Sequence, residues 1–480
     1  MRILIQPLVI TRDVTKDSAC LAVMNLIEKC LKVRQDLWFY VIFPEDVTGY
    51  EEFEKLGHVT VVLERRKLRR FYKEIVSVDV ETIFDMFSAT TGFYQIDLAV
   101  THKTGIALLL ARLLNDERIT DEKGLSAIPV LVLEDRAWGR TDTHEFVDGY
   151  EFALRAESYS MLPSIIYNEH EKNDAVDASR NFLSDEMYRR MKKNIRIKCI
   201  GIPVDKVDEA IKRAKKRERF TMFYGGRFSY QKRTPFVLEL MLKVIESGRD
   251  ADMLLTFPNP FNRKIALVLK KYYKRNKRME VYSDVGRLDF LTYCASSHVA
   301  IAAGLYEGFP VGTMEMLATG VPTLVPDRVW SRDLIGSDYK LLYSTFSDAY
   351  SKLCWVYDNY EEAKKIGEET RETVIRKYDS LDFAKEFLKI AEEVVTENDK
   401  RITLPLGDTS YGTADAIVES FGGQRFTMIE FMRKFSNLSI TGKKVDFEVG
   451  FKKPTLWALR KYLLSRGVRD LCDGGVPTFE

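Results

Sequence analysis

Two short stretches of the 480-residue chain place charge at spacings that chemistry can use. The first is FYGGRFSYQKR, residues 223–233. A strand-like run, FTMFY, ends in Gly225-Gly226, and Arg227 and Lys232 follow five positions apart. Glycines after a strand permit tight turning and close backbone approach. Two cations before a helix that starts near Pro235 can clamp a diphosphate, the Arg as a fork of donors and the Lys as a point charge. The second stretch is EGFPVGTME, residues 307–315, with Glu307 and Glu315 eight positions apart. It follows an apolar strand-like run, HVAIAAG, and a helix beginning near Gly312 would favour an anion at its N-terminus. A carboxylate accepts two hydrogen bonds from a vicinal diol, so two of them could read two diols flanking a pyrophosphate. Each stretch alone also reads as a glycine turn with solvated charges.

These residues need elements that bring them together across about 80 positions. The first part of the chain alternates apolar runs (RILIQPLVI, LWFYVIFP, HVTVVLE, IDLAVTHK, IPVLVLED) with amphipathic helical runs such as DSACLAVMNLIEKCLKV. Near-continuous apolar strands between helices predict a parallel sheet covered on both faces. The pattern passes through NIRIKCIGIPVD and the charged helical run KVDEAIKRAKKRER, then restarts at FTMFYGGRF. The predicted architecture is α/β: two Rossmann-like domains facing a cleft, plus a small C-terminal helical, winged-helix-like module. The expected boundaries are 1–205 for the first domain, 206–397 for the second with a long helical end, 398–412 for a linker and 413–480 for the module. Ligands of open α/β sheets bind outside the carboxyl ends of the strands, here in the cleft.

Composition narrows the setting. Net charge is +2, so only local clusters speak about acidic partners. The six cysteines include no C-x-x-C pair, which predicts neither a zinc site nor a disulfide framework and fits a reducing compartment. No leader segment is apparent before the first strand-like run, and no apolar run is long enough to span a bilayer. The expected location is cytoplasmic.

Taken together and in this order, GRFSYQK and EGFPVGTMEMLATGVP resemble the nucleotide-binding half of GT-B glycosyltransferases. They match in particular the retaining family 4 group, with its G-R-x4-K element and its Glu-x7-Glu element followed by G-V-P. The resemblance covers about residues 1–395 in layout and is specific between Gly225 and Pro322. It implies an enzyme that transfers a sugar, most simply a hexose, from a nucleotide-sugar donor with retention at the anomeric carbon. Arg227 and Lys232 would hold the donor diphosphate beside Gly225 and Gly226, and Glu307 would contact sugar hydroxyls. Gly308, Phe309 and Pro310 would line the sugar pocket, though Pro310 has no N–H to offer. Glu315 would hold the ribose. A front-face route is implied, with no protein nucleophile and no metal requirement.

The sequence departs from the family in two places. QPLVITRD follows the first strand where members often have a Gly-rich loop. Glu134-Asp135-Arg136 stands after the strand where many carry a histidine. Glu134 and Asp135 are therefore candidates for an acceptor or base function, and His102 in AVTHKTG is a candidate for the sugar site. A strand-end turn and a structural histidine read the same letters.

Two basic runs bear on the acceptor. RRKLRRFYK packs Arg65, Arg66, Lys67, Arg69, Arg70 and Lys73 into nine residues of the acceptor-side domain, and RKIALVLKKYYKRNKR spans residues 263–278. Either is a solvated face or meets an anionic partner, nucleic acid or an anionic membrane surface. Residues 413–480 carry a cationic excess of three and faintly resemble a winged helix-turn-helix. The favoured acceptor on these grounds is a hydroxymethylated pyrimidine in DNA. The alternatives are a saccharide or lipid at the cytosolic membrane face, and a non-catalytic nucleotide-sugar or DNA-binding regulator. The intact Arg227, Lys232, Glu307 and Glu315 argue against the last.

Overall fold

The computed structural model describes residues 1–9, 11–64, 96–102, 104, 107–114, 128–133, 149–180, 183–228, 232–258, 263–400, 439–441 and 444–446. The strands of the first sheet are β1 (Arg2–Gln6), β2 (Trp38–Pro44), β3 (Val59–Glu64), β4 (Leu98–Thr101), β5 (Val130–Leu133), β6 (Ser164–Ile166) and β7 (Ile195–Ile197). All are parallel, in the order β3-β2-β1-β4-β5-β6-β7. The second sheet holds β8 (Phe220–Gly225), β9 (Ala251–Phe257), β10 (Met279–Ser283), β11 (Val299–Ile301), β12 (Thr323–Pro326) and β13 (Leu342–Tyr343). It too is parallel, in the order β10-β9-β8-β11-β12-β13. The interior strands are buried almost throughout, as β2 shows with six buried residues after an exposed Trp38, while the edge strands β3, β7 and β10 are only partly so. That is the composition a sheet covered on both faces requires.

In each sheet the strand order reverses once, between β1 and β4 and between β8 and β11. The chain leaves adjacent strands in opposite directions at such a switch point and leaves a crevice at their carboxyl ends. Six helices matter for the site: α1 (Ser18–Val33), α2 (Glu169–Ser179), α3 (Arg263–Arg275), α4 (Arg287–Ser296), α5 (Val311–Ala318) and α6 (Ser380–Lys400). Asp17 starts α1 by accepting the N–H groups of Ala19 and Cys20 at 3.0 and 3.4 Å. In the β1–α1 connection Leu8 and Val9 are buried, so this segment packs into the core where a Gly-rich loop would stay open.

The chain crosses between the domains twice, side by side. Ile202 donates its N–H to the Tyr378 carbonyl at 2.8 Å and accepts from the Ser380 N–H at 3.0 Å. Gly201 permits this approach at φ 71°, since a Cβ there would lie 2.7 Å from the Ser380 backbone. Beyond the second crossing, Phe383, Ala384, Phe387, Ile390, Ala391 and Val394 of α6 join the core of the first domain with Ile3, Ile5 and Ile27. Each such fully buried large side chain contributes about 1.5–3 kcal/mol. The long helical run expected at the end of the second domain divides into Phe346–Asp358, Tyr360–Lys377 and α6. It breaks at Asn359, whose φ of −128° is not helical, and at the crossing itself. Helix α6 continues to Lys400, into the expected linker, whose remaining residues lie outside the described set. Of the C-terminal module only an antiparallel pair, β14 (Ser439–Thr441) with β15 (Lys444–Asp446), is described. Cys20, Cys30, Cys294 and Cys354 are free thiols.

Candidate functional site

The two charged stretches leave the two strands that flank the second switch point. FYGGRFSYQKR leaves β8 and EGFPVGTME leaves β11, and these strands are paired neighbours. Their distance in sequence is thus removed by strand order alone.

At the end of β8, a Cβ on Gly225 would overlap the Phe290 ring and lie 2.9 Å from Thr256 Oγ1, so only glycine fits. Gly226 and Arg227 follow; Arg227 makes no ion pair or hydrogen bond among the described residues and is half-buried. Lys232 is held from two sides. The buried Tyr224 hydroxyl donates to its carbonyl oxygen at 3.1 Å and sits 2.9 Å from Thr234 Oγ1. Its ammonium pairs with the Glu307 carboxylate. Burial pushes the Tyr224 phenol well above its ordinary value, so it stays a donor. A cation and a carboxylate from the two motifs are therefore in direct contact.

Glu307 folds back over Gly304, where a Cβ would overlap its Oε1. Gly308 lies under Glu171 of the first domain: a Cβ there would be 3.2 Å from Glu171 Oε1. Asn168 caps α2 by accepting the Glu171 N–H at 2.8 Å, and its amide N–H donates to the Gly308 carbonyl oxygen across the cleft. Nearby, the Tyr306 hydroxyl donates to Asp174, and the His170 N–H donates to Asp333 at 3.3 Å. The Phe309 ring stacks edge-on against Tyr378, with centroids 5.5 Å apart. Pro310 sits at the N-cap of α5, and no side chain caps that terminus. First-turn N–H groups have no partner within their own helix, so they suit an anion.

Glu315 points from α5 into the interior and is 1% exposed. Arg287, the first residue of α4, donates Nε to Glu315 Oε1 at 2.8 Å and brings a second guanidinium nitrogen onto Oε2. The guanidinium carbon lies 5.4 Å from the Phe290 ring centre. Phe290 thus touches both Gly225 and Arg287 and links the two motifs from behind. Arg287 and Glu315 line a cavity of about 710 Å³ between the domains, with Gly286 and Val311 beside them and Thr15, Ser18 and Asn25 opposite. Lys16 reaches over this seam to Asp284, which adopts the left-handed region at φ 63°.

His102 lies at the first switch point, one residue past β4. It is 4% exposed, its N–H donates to the Gln6 carbonyl at 3.0 Å, and its Nε2 has no hydrogen-bond partner among the described residues. Burial pushes its imidazole down to about 4, so it is neutral at pH 7. The acidic candidates Glu134 and Asp135 and the cluster Arg65, Arg66, Lys67, Arg69, Arg70 and Lys73 lie outside the described residues. Among the described residues no cluster of three or more His, Cys, Asp or Glu could share a metal ion. No helix among them is long and apolar enough to cross a membrane.

Sequence reasoning missed Asn168, Glu171 and Arg287. Asn168 followed three residues later by Glu171 is a helix-start signal that could have marked α2. No local signal marks Arg287.

No family model matches the chain, and no curated protein matches it by sequence. Solved structures do. Anabaena HepE, in complex with UDP and glucose, is similar with a TM-score of 0.60 at 9% identity, over 82% of this chain and 100% of that one. Sucrose-phosphate synthase from Thermosynechococcus elongatus gives 0.59 at 12% identity, over 82% and 99%. A glycosyltransferase from Rickettsia africae gives 0.57 at 13% identity, over 82% and 98%. The fold is GT-B. β8 and β11 belong to the second Rossmann-like domain, α6 packs back on the core of the first, and the cavity at Arg287 and Glu315 lies in the cleft between them.

Proposed function

We propose that this GT-B protein transfers a hexosyl group from a nucleoside diphosphate sugar to an acceptor hydroxyl, with retention at the anomeric carbon. The observation that carries the reading is the contact between Lys232 and Glu307, which brings together the two stretches leaving the paired strands β8 and β11. That similar folds were solved with UDP and glucose or UDP-glucose supports a donor of this class.

In this reading Glu315 accepts the ribose diol at the inner end of the cleft, held in place by Arg287. The pyrophosphate lies between Arg227, Lys232 and the uncapped N-terminus of α5. Lys232, paired with Glu307, brings its ammonium charge to the phosphate. Glu307 meets the sugar hydroxyls over Gly304. The bond from the anomeric carbon to the diphosphate oxygen breaks with its electron pair moving to that oxygen. Arg227 and Lys232 stabilise the charge as it develops. The acceptor oxygen attacks from the same face, its proton passes to the departing phosphate oxygen, and the new glycosidic bond forms. Two cations neutralise the diphosphate, so the scheme needs no metal.

For the acceptor, the DNA reading drew on residues 65–73 and 413–480, which are outside the described set apart from one short strand pair. Among the described residues the basic run at 263–278 exposes Leu267 and Tyr273 between its cations. A bilayer interface accommodates such side chains and a duplex backbone does not. The acceptor we favour is therefore a saccharide or lipid hydroxyl at an anionic membrane surface. The test offers nucleotide sugars with lipid extract, oligosaccharides and DNA containing 5-hydroxymethylpyrimidines, and follows the mass gain. A hexose added to lipid or saccharide supports the reading; a hexose on the modified base moves the acceptor to DNA.

A further inference from the structure

Helix α3 packs against the second domain through Leu269 and Tyr272, each 6% exposed, with Ile265 and Val268 partly buried beside them. Among the described residues the opposite face is unpartnered. Leu267 is 59% exposed on it, and at 100° per residue Arg263, Lys270, Lys271 and Lys274 fall on either side of Leu267. All four are exposed. Tyr273 is 43% exposed at the margin, with the Lys277 ammonium 4.3 Å from its ring centre.

No acidic residue occurs between Arg263 and Arg278. The cations of this run divide by position. Arg275 is taken by Glu239 and Glu246, and Arg278 pairs with Asp250. Lys270, Lys271 and Lys274 form no ion pair among the described residues, while Glu239 and Glu246 of the neighbouring helix are taken by Arg275. A solvated helix normally intersperses both signs; this one sorts its unneutralised cations around one exposed leucine.

We infer that this face of α3 docks the protein on an anionic lipid bilayer. The ammonium groups meet lipid phosphates, while Leu267 and the Tyr273 ring enter the boundary between headgroups and acyl chains. The helix connects β9 to the edge strand β10, so the face is turned away from the sheet's interior. Its first turn lies on the side of the β9 carboxyl end, where the interdomain cleft opens. Docking therefore brings the cleft near the surface that would hold an acceptor. An acidic protein would satisfy the lysines without requiring Leu267, and a nucleic acid offers phosphates but no place to bury it.

This face bears on the acceptor half of the proposed function and is independent of the donor half. The test is flotation of the full-length protein with phosphatidylcholine vesicles, with and without phosphatidylglycerol, with donor hydrolysis read in the same samples. The wild type should float only with the anionic vesicles and detach as salt rises. Lys270→Glu/Lys271→Glu/Lys274→Glu should weaken binding by about tenfold or more. Leu267→Ser should weaken it severalfold while leaving the salt dependence unchanged. Both variants should hydrolyse donor in solution at the wild-type rate, which shows that they are folded. Equal flotation of the triple variant and wild type overturns the inference, as does equal binding to neutral vesicles or an inert Leu267→Ser. Loss of duplex DNA binding in the triple variant with vesicle binding retained would assign the face to nucleic acid instead.

Discussion

The Arg287–Glu315 pair gives the sharpest energetic test of the site. Glu315 is 1% exposed and takes the Arg287 fork through Nε at 2.8 Å and a second nitrogen. Arg287→Ala leaves a carboxylate inside the domain without its cation. Removing one partner of a buried pair costs about 3–5 kcal/mol. The Arg287 side chain is itself 24% exposed on the cavity, so water enters the vacated space and the cost falls to about 2–3 kcal/mol. For a domain of this size that lowers the melting midpoint by about 4–12 °C. Glu315→Gln in the same background removes the stranded charge, and the double variant should recover about 1–2 kcal/mol relative to the sum of the single ones. Thermal and urea unfolding of wild type, the two single variants and the double variant would measure this. Donor KM should rise at least tenfold in Arg287→Ala, because Glu315, the carboxylate proposed to bind the ribose diol, has lost its support. A midpoint shift under about 1 °C, or strictly additive effects, would refute the reasoning that Arg287 compensates a buried charge.

Three further outcomes are expected. Arg227→Ala and Glu307→Ala should each lower transfer by about 10²–10³-fold with unfolding midpoints near wild type; full activity in both would place the donor elsewhere. Gly304→Ala puts a Cβ into the Glu307 carboxylate, so kcat should fall with the Lys232–Glu307 contact, while Gly248→Ala, at φ 93° with nothing within 4 Å, should strain the backbone and lower the unfolding midpoint but leave turnover unchanged. Acid should destabilise the fold before the carboxylates titrate. His102 is held down to about 4, so between about pH 6.5 and 4 the unfolded chain binds a proton that the folded chain refuses. Its stability contribution is complete above about pH 6.5 and falls by about 2 kcal/mol by pH 5. His298, also lowered to about 4 by burial, adds to this, since its Nδ1 must stay unprotonated to accept the Thr221 N–H at 3.0 Å. Urea midpoints at pH 7 and 5 measure the slope, and His102→Gln should flatten it; a midpoint that rises on acidification contradicts the assignment.

The alternation of apolar strands and amphipathic helices made both sheets legible, because a strand buried on two faces leaves a run of Val, Ile and Leu that little else explains. The two charged motifs were legible because glycines and charges at fixed spacing are local features. Their meeting was not local: it follows from β8 lying beside β11, a consequence of strand order. The same is true of Arg287, whose partner is 28 residues away and is chosen by the packing of α4 on α5. The β1–α1 segment shows the reverse case. QPLVITRD departs from a Gly-rich loop in sequence, and the structure shows why, with Leu8 and Val9 committed to the core. The interdomain contacts of Asn168 and Glu171 with Gly308 needed the fold, since nothing in either stretch announces the other.

The most direct test of the donor site is turnover of a panel of nucleotide sugars, read by mass spectrometry, with Arg227→Ala and Glu307→Ala as paired controls. The account predicts release of nucleoside diphosphate from at least one donor by the wild type, with loss of at least 99% of that rate in either variant. No turnover and no binding of any nucleotide sugar by the wild type, or undiminished turnover by both variants, would contradict it.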